Sequence, residues 1–211
     1  MSGISAQGST LQIATGTGGA KTITAITVGN PAIVTSTAHG LANGDVVTLA
    51  AVAGTMSTLL NATSHVISNK TANSFALLDV DTTGLTYTSG GTATPVTYTK
   101  INGFLSFNGF DGSASELDTT DLDSVAMEFV SGLVDNGKFG FEMKIIKADA
   151  GQISLRAARA SGALTGFKLT LPDTAVATYD ALVKTIPTAG GVNAVLKGSV
   201  DTKISGAVVW S

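Results

Sequence analysis

The sequence predicts a mainly β protein with one substantial helix, on three observations. Apolar residues alternate with polar ones along several stretches of the C-terminal half, the period of strands with one polar face. Short β-branched runs bounded by Gly, Asn and Asp recur through residues 30–97, which reads as closely spaced strands and turns. One segment, 150–161, carries helix formers between a capping pair and a glycine.

Composition bounds the function. Of 211 residues, 44% are hydrophobic and only 13% charged, so a core is available and disorder is excluded. The net charge of −3 argues against a nucleic-acid grip, which draws most of its affinity from basic groups on phosphates. There is no cysteine, which removes disulfides, thiolate metal sites and thiol nucleophiles. The opening MSGISAQGST lacks a basic and an apolar leader region, and no apolar run reaches the ~18 residues of a membrane span. The chain is expected to be made in the cytosol and not to insert into a membrane.

Charge is unevenly spread. Residues 1–99 carry five charges and residues 100–211 the other 22, which suggests a boundary near residue 99. In the low-charge part, Pro31–Thr35 and Val46–Leu49 flank an Asn43-Gly44 turn, the signature of a hairpin. Ser64–Ile67 and Ser74–Leu78 repeat that pattern around residues 69–73, and Thr86–Thr88 reads as a further strand before the flexible Ser89–Thr92. These strands suit a small barrel or sandwich.

The charged part alternates more cleanly. Phe139, Phe141, Met143 and Ile145 share one face of 138–147. Phe167, Leu169 and Leu171 share another, as do Leu196, Val200 and Ile204. Asp149 followed by Gln152 resembles a capping box, and Gly162 supplies a stop, so 150–161 is expected to be the helix.

Few motifs carry chemistry. Gly16–Thr22 fails the phosphate-loop pattern because Thr15 and Ala20 stand where glycines are needed; it reads as a flexible connector. His39 and His65 have no ligand-spaced partner, and no Gly-x-Ser-x-Gly elbow occurs. No cofactor, metal or catalytic residue is assigned, and the chain is not expected to be an enzyme. Seven acids and no base lie between Asp111 and Asp135. Asp121-x-Asp123 lacks the glycine and glutamate of a calcium loop. A carboxylate pair for acid–base work, a solvated surface and an intermolecular contact all remain open. In the last, the acids of one copy meet the bases that follow (Lys138, Lys144, Lys147, Arg156, Arg159, Lys168) on the next.

Residues 98–211 resemble the major tail tube proteins of long-tailed bacteriophages. The resemblance rests on Glu116–Ser124, with a departure at Thr120-Asp121, on Glu128–Gly137, and on the strand, helix and strands that follow. Gly8–Ile13 resembles that family's first strand. Residues 22–97 then read as an insert, leaving 1–21 and 98–211 as the core domain. The insert is similar to the first catalytic-cysteine half-domain of ubiquitin-activating enzymes. The matching residues are Asn30–Thr35, His39–Leu41, Asn43–Val47, Leu60-Asn61 and Thr71–Phe75. Without cysteine, no thioester chemistry follows.

The tail-tube resemblance implies a β-sandwich with one flanking helix, joined into stacked hexameric rings that form the conduit for genome delivery. Its implied partners are further copies of itself, the tape-measure, tail-tip and tail-terminator proteins, and duplex DNA that passes without specific binding. It implies a place in the virion tail after assembly in the host cytoplasm, with the small, barrel-like insert outside the tube. A ring of acidic chains repels DNA and lets it slide. Asp118, Thr119, Leu122, Asp123, Ser124, Phe129, Leu133 and Asp135 are the expected intersubunit contacts, since 111–137 is too apolar for an idle loop. A head-decoration or host-adhesion protein is the alternative.

Overall fold

The computed structural model describes residue 3 and residues 5–211. Met1, Ser2 and Ile4, part of the segment read as lacking a leader, lie outside the described residues. The protein is mainly β. In chain order come β1 (Thr10–Thr17), β2 (Lys21–Thr22), β3 (Ala25–Ile26), β4 (Ile33–Thr35), β5 (Val46–Ala50), the short helix α1 (Ser57–Leu60), β6 (Ser64–Ser68), β7 (Ser74–Leu77) and β8 (Thr92–Lys100). Then follow β9 (Phe104–Gly109), β10 (Ser113–Asp118), β11 (Phe129–Asp135), β12 (Lys138–Lys144), helix α2 (Ala150–Ser161), β13 (Thr165–Thr170), β14 (Val176–Thr185), β15 (Thr188–Ala189), β16 (Lys197–Ile204) and β17 (Val209–Trp210).

The chain forms two compact units. The first comprises the described residues up to Thr99 with Lys168–Thr178 and Val209–Ser211; the second comprises Lys100–Phe167 and Tyr179–Val208. Strand β8 runs unbroken through residues 97 and 98.

In the first unit the strand order is β3-β4-β7-β6-β5-β8-β1-β13-β14. Phe75, Ile67, Leu77, Leu49, Met56 and Leu60 are fully buried at the centre of one apolar cluster drawn from residues 23–93. Two sequence expectations are corrected here. Pro31–Thr35 and Val46–Leu49 do not form a hairpin: β4 pairs with β3 and β7, and β5 with β6 and β8. The Asn43-Gly44 turn instead docks on β6, where Gly44 N–H donates to the Ile67 carbonyl at 2.8 Å. Thr86–Thr88 is not a strand. Its backbone bonds to the 53–56 loop, through Met56 N–H to Thr86 O and Thr88 N–H to Ala53 O, so it follows an irregular path rather than a ladder. The β6–β7 hairpin forms as expected, with Ile67 opposite Leu77.

The glycine-rich connector is also held more firmly than its composition suggests. Gly16 and Thr17 end β1, and Gly18 N–H donates to Pro95 O at 2.7 Å. Asp45, in the turn, accepts from Ala42 N–H at 2.8 Å and pairs with Lys168 at 3.2 Å, whose ammonium also lies over the Tyr98 ring.

In the second unit the order is β14-β16-β12-β9. The alternation read from sequence puts Phe139, Phe141 and Met143 inward. There they meet Phe104, Phe107, Phe110, Phe167 and Tyr179 in an aromatic core, with neighbouring ring centroids 5.1 to 6.1 Å apart. Burial raises the Tyr179 hydroxyl pKa well above its ordinary range. Val200 and Ile204 are buried as expected, but Leu196 is 45% exposed, because β16 begins one residue after it. Helix α2 has the predicted bounds. Asp149 accepts from Gln152 N–H at 2.9 Å, and Gly162 ends the helix in the left-handed conformation at φ 65°. The capping box is only half made. The Gln152 amide turns inward to the carbonyls of Asn102 and Lys144 and the N–H of Ile146, since these buried backbone groups have greater need of it.

Candidate functional site: an exposed acidic and apolar hairpin

The acidic segment singled out in the sequence forms a two-stranded antiparallel hairpin, β10 against β11. Ser113 faces Asp135 at its base and Asp118 faces Phe129 near its tip. Residues paired in this way point to the same side. Leu117 and Val130 therefore share one apolar face, while Glu116, Ser131, Asp118 and Phe129 share a mixed one. Every residue of β10, and every residue of β11 but Gly132, is exposed. A two-stranded hairpin with its apolar face in water is marginal by itself.

Local hydrogen bonds give the hairpin its order. At the base, Lys138 N–H donates to the Asp111 carboxylate at 2.9 Å, Gly137 N–H donates to Asp135, and Lys203 Nζ reaches Asp135 at 2.6 Å. Near the tip, Thr120 N–H donates to Asp118 and Glu128 N–H to the Thr120 hydroxyl. Asp123 N–H and the Ser124 hydroxyl both donate to Asp121. These contacts hold three carboxyls below the usual carboxylate range: Asp111 chiefly by the Lys138 N–H, Asp118 by Thr120, and Asp135 by Lys203.

Asp118, Thr119, Thr120, Asp121 and Ser124 thus shape the tip, and the apolar residues around them are displayed. Leu122 and Val125 are fully in solvent, Met127 is 69% exposed and Leu133 90%. Phe129, which an ordinary core would bury, is 51% exposed. The structure brings all eight expected contact residues together on this one hairpin. It separates the bases that follow: Lys138 sits at the hairpin's own base, Lys168 pairs with Asp45 in the first unit, and Lys144, Lys147 and Arg156 lie elsewhere in the second. Sequence reasoning missed a second exposed apolar stretch, Val192, Val195 and Leu196; the Gly190-Gly191 pair before it was the available signal.

The histidines are structural in setting. His39 is buried, accepts from Leu41 N–H at 3.0 Å, and meets the Phe75 ring edge-on. His65 contacts the Thr63 hydroxyl at 2.7 Å, and burial lowers its pKa. Among the described residues no group of three His, Asp or Glu side chains gathers as a metal site, and no helix is long and apolar enough to cross a membrane.

Residues 29–97 match the ubiquitin-activating enzyme E1 FCCH domain family. No curated protein matches the chain. Among solved structures, the tail of an empty GTA particle with C6 symmetry is similar at TM-score 0.47 and 19% identity, covering 54% of this chain and 86% of that one. The anti-feeding prophage baseplate, 6-fold symmetrised, is similar at TM-score 0.43 and 10% identity, covering 81% and 94%. Hcp1 from Salmonella typhimurium is similar at 0.30 and 14%, covering 54% and 77%.

Proposed function

We propose that this chain is a self-assembling structural subunit of a phage-type tail tube, with no catalytic role. The carrying observation is the β10–β11 hairpin, an ordered element that leaves most of its large apolar side chains in water. Exposed apolar surface of this extent marks a protein–protein contact. Asp118, Thr119, Leu122, Asp123, Ser124, Phe129, Leu133 and Asp135 are the intersubunit contacts in this reading. Strand β9 ends the order of the second unit, so its outer edge is open among the described residues. An open edge invites aggregation unless it is covered, and closure into a hexameric ring would cover it. Residues 22–97 are an insert on the tube exterior, and duplex DNA passes through an unattractive lumen. Tape-measure, tail-tip and terminator proteins are the partners this role requires.

Negative-stain electron microscopy over a concentration series tests the reading. Rings or tubes with a hole wide enough for duplex DNA are expected. A chain that stays monomeric at every concentration, and with a tail-tip initiator present, overturns it in favour of a decoration or adhesion protein.

A further inference from the structure

The tube reading leaves open what the hairpin docks on, and the present inference rests on that reading. Within the second unit, the register of β12 and β16 defines two ends: Lys138 faces Lys203 at one and Lys144 faces Lys197 at the other. These ends lie roughly 20 Å apart at ~3.4 Å per residue. The hairpin springs from the first end, where Ile204 N–H donates to Gly137 O and Lys203 holds Asp135. At the far end Ile145 N–H donates to Leu196 O at 2.9 Å, which places the 190–196 loop there. Val192 is 96% exposed and Val195 60%.

The two ends also differ in charge. The hairpin end carries the seven acids of 111–135. Exposed Lys144 and Lys197 are register partners at the far end. Lys147 follows three residues on, and Arg156 donates to its carbonyl at 3.3 Å. Two carboxylates lie nearby: Asp149 is buried and committed to the helix cap and to Asn102, and exposed Glu142, opposite Ser199, is outnumbered by Lys144, Lys147 and Lys197. One end is therefore apolar and acidic, the other apolar and basic.

We propose that the 190–196 loop, with Lys144, Lys147 and Lys197, is the seat for the hairpin of a second copy, so that copies join head to tail along the β12–β16 direction. Opposite fields set register and speed encounter. A contact between two different patches does not close in a pair; it propagates into rings or filaments. Lys138 and Lys203 belong to the hairpin's own base and take no part in the seat.

Paired charge reversal in the full-length chain provides the test. One variant carries Lys144→Glu, Lys147→Glu and Lys197→Glu. The other carries Glu116→Lys, Asp123→Lys and Glu128→Lys, which spares the Asp118 and Asp121 carboxylates that shape the tip. Each alone should raise the critical concentration for assembly more than tenfold. A 1:1 mixture should restore it to within a few-fold of wild type, because each hairpin then finds an opposite seat. Val192→Asp, at a position with almost no contact in the monomer, should block assembly while leaving the melting temperature unchanged. If wild type assembles and the lysine variant or Val192→Asp assembles equally well, the seat is wrong while the tube reading stands. Folded variants that fail to rescue each other overturn the seat in the same way. Wild type that never assembles removes both.

Discussion

Leu122 and Leu133 separate assembly from folding most sharply. Leu122 is 105% exposed and Leu133 90%, so neither side chain contributes appreciable burial to the monomer. Leu122→Ser and Leu133→Ser should each shift monomer stability by no more than about 0.5 kcal/mol, the usual range for surface changes. If each leucine becomes fully buried against another copy, its loss costs about 1.5–3 kcal/mol of contact. At a factor of ten per 1.4 kcal/mol, the critical concentration should rise about 10- to 150-fold for each substitution. Pelleting across a concentration series reads the assembly, and thermal melting below the critical concentration reads the fold. Unchanged assembly in both variants refutes the reasoning. So does a fall in melting temperature large enough to account for lost assembly, since it would show these leucines to be folding residues.

Other perturbations check the fold and the hairpin. Phe129→Ala should weaken assembly more than it lowers the melting temperature; equal losses would make Phe129 an ordinary packing residue. Asp149→Ala removes the acceptor for Gln152 N–H and for the Asn102 amide at 2.6 Å and should cost the second unit about 1–3 kcal/mol in denaturant unfolding. Gly54 sits at φ 102°, and a Cβ there would strike the Thr86 carbonyl; Gly54→Ala should destabilise the first unit by more than about 1 kcal/mol in the same assay. Asp111, Asp118 and Asp135 have folded pKa values below their unfolded ones. Their support for the hairpin is therefore fully present above the ordinary carboxylate range and is lost as pH falls through the depressed values. An NMR titration should show hairpin amides in place at pH values where free aspartate is already protonated; loss at the ordinary carboxylate pKa would contradict this.

Where physics is local, the sequence was enough. Helix α2 was legible to its last residue because an Asp N-cap, a run of helix formers and a glycine act within a few positions of one another. The inward faces of β12 and β16 were legible because alternation is a property of the strand itself. Segment 111–137 could be singled out as unusually apolar because its apolar residues lie between groups that favour turns.

Partner choice was another matter. Val46–Leu49 was a clear strand, but nothing near it in sequence said that it pairs with 64–68 and 92–100 rather than with Pro31–Thr35. The inward turn of Gln152 depended on unsatisfied carbonyls 8 and 50 residues away. The split of the basic residues between the hairpin base, the Asp45 pair and the far end of β12 likewise came only from register. Composition and periodicity determined that this chain is β-rich, which residues face inward, and which segment is too apolar to be idle. The tertiary structure alone decided which strands meet and which charges share an end. Long-range pairing is chosen by the summed burial and hydrogen bonding of the whole chain, and no local window of sequence contains that sum.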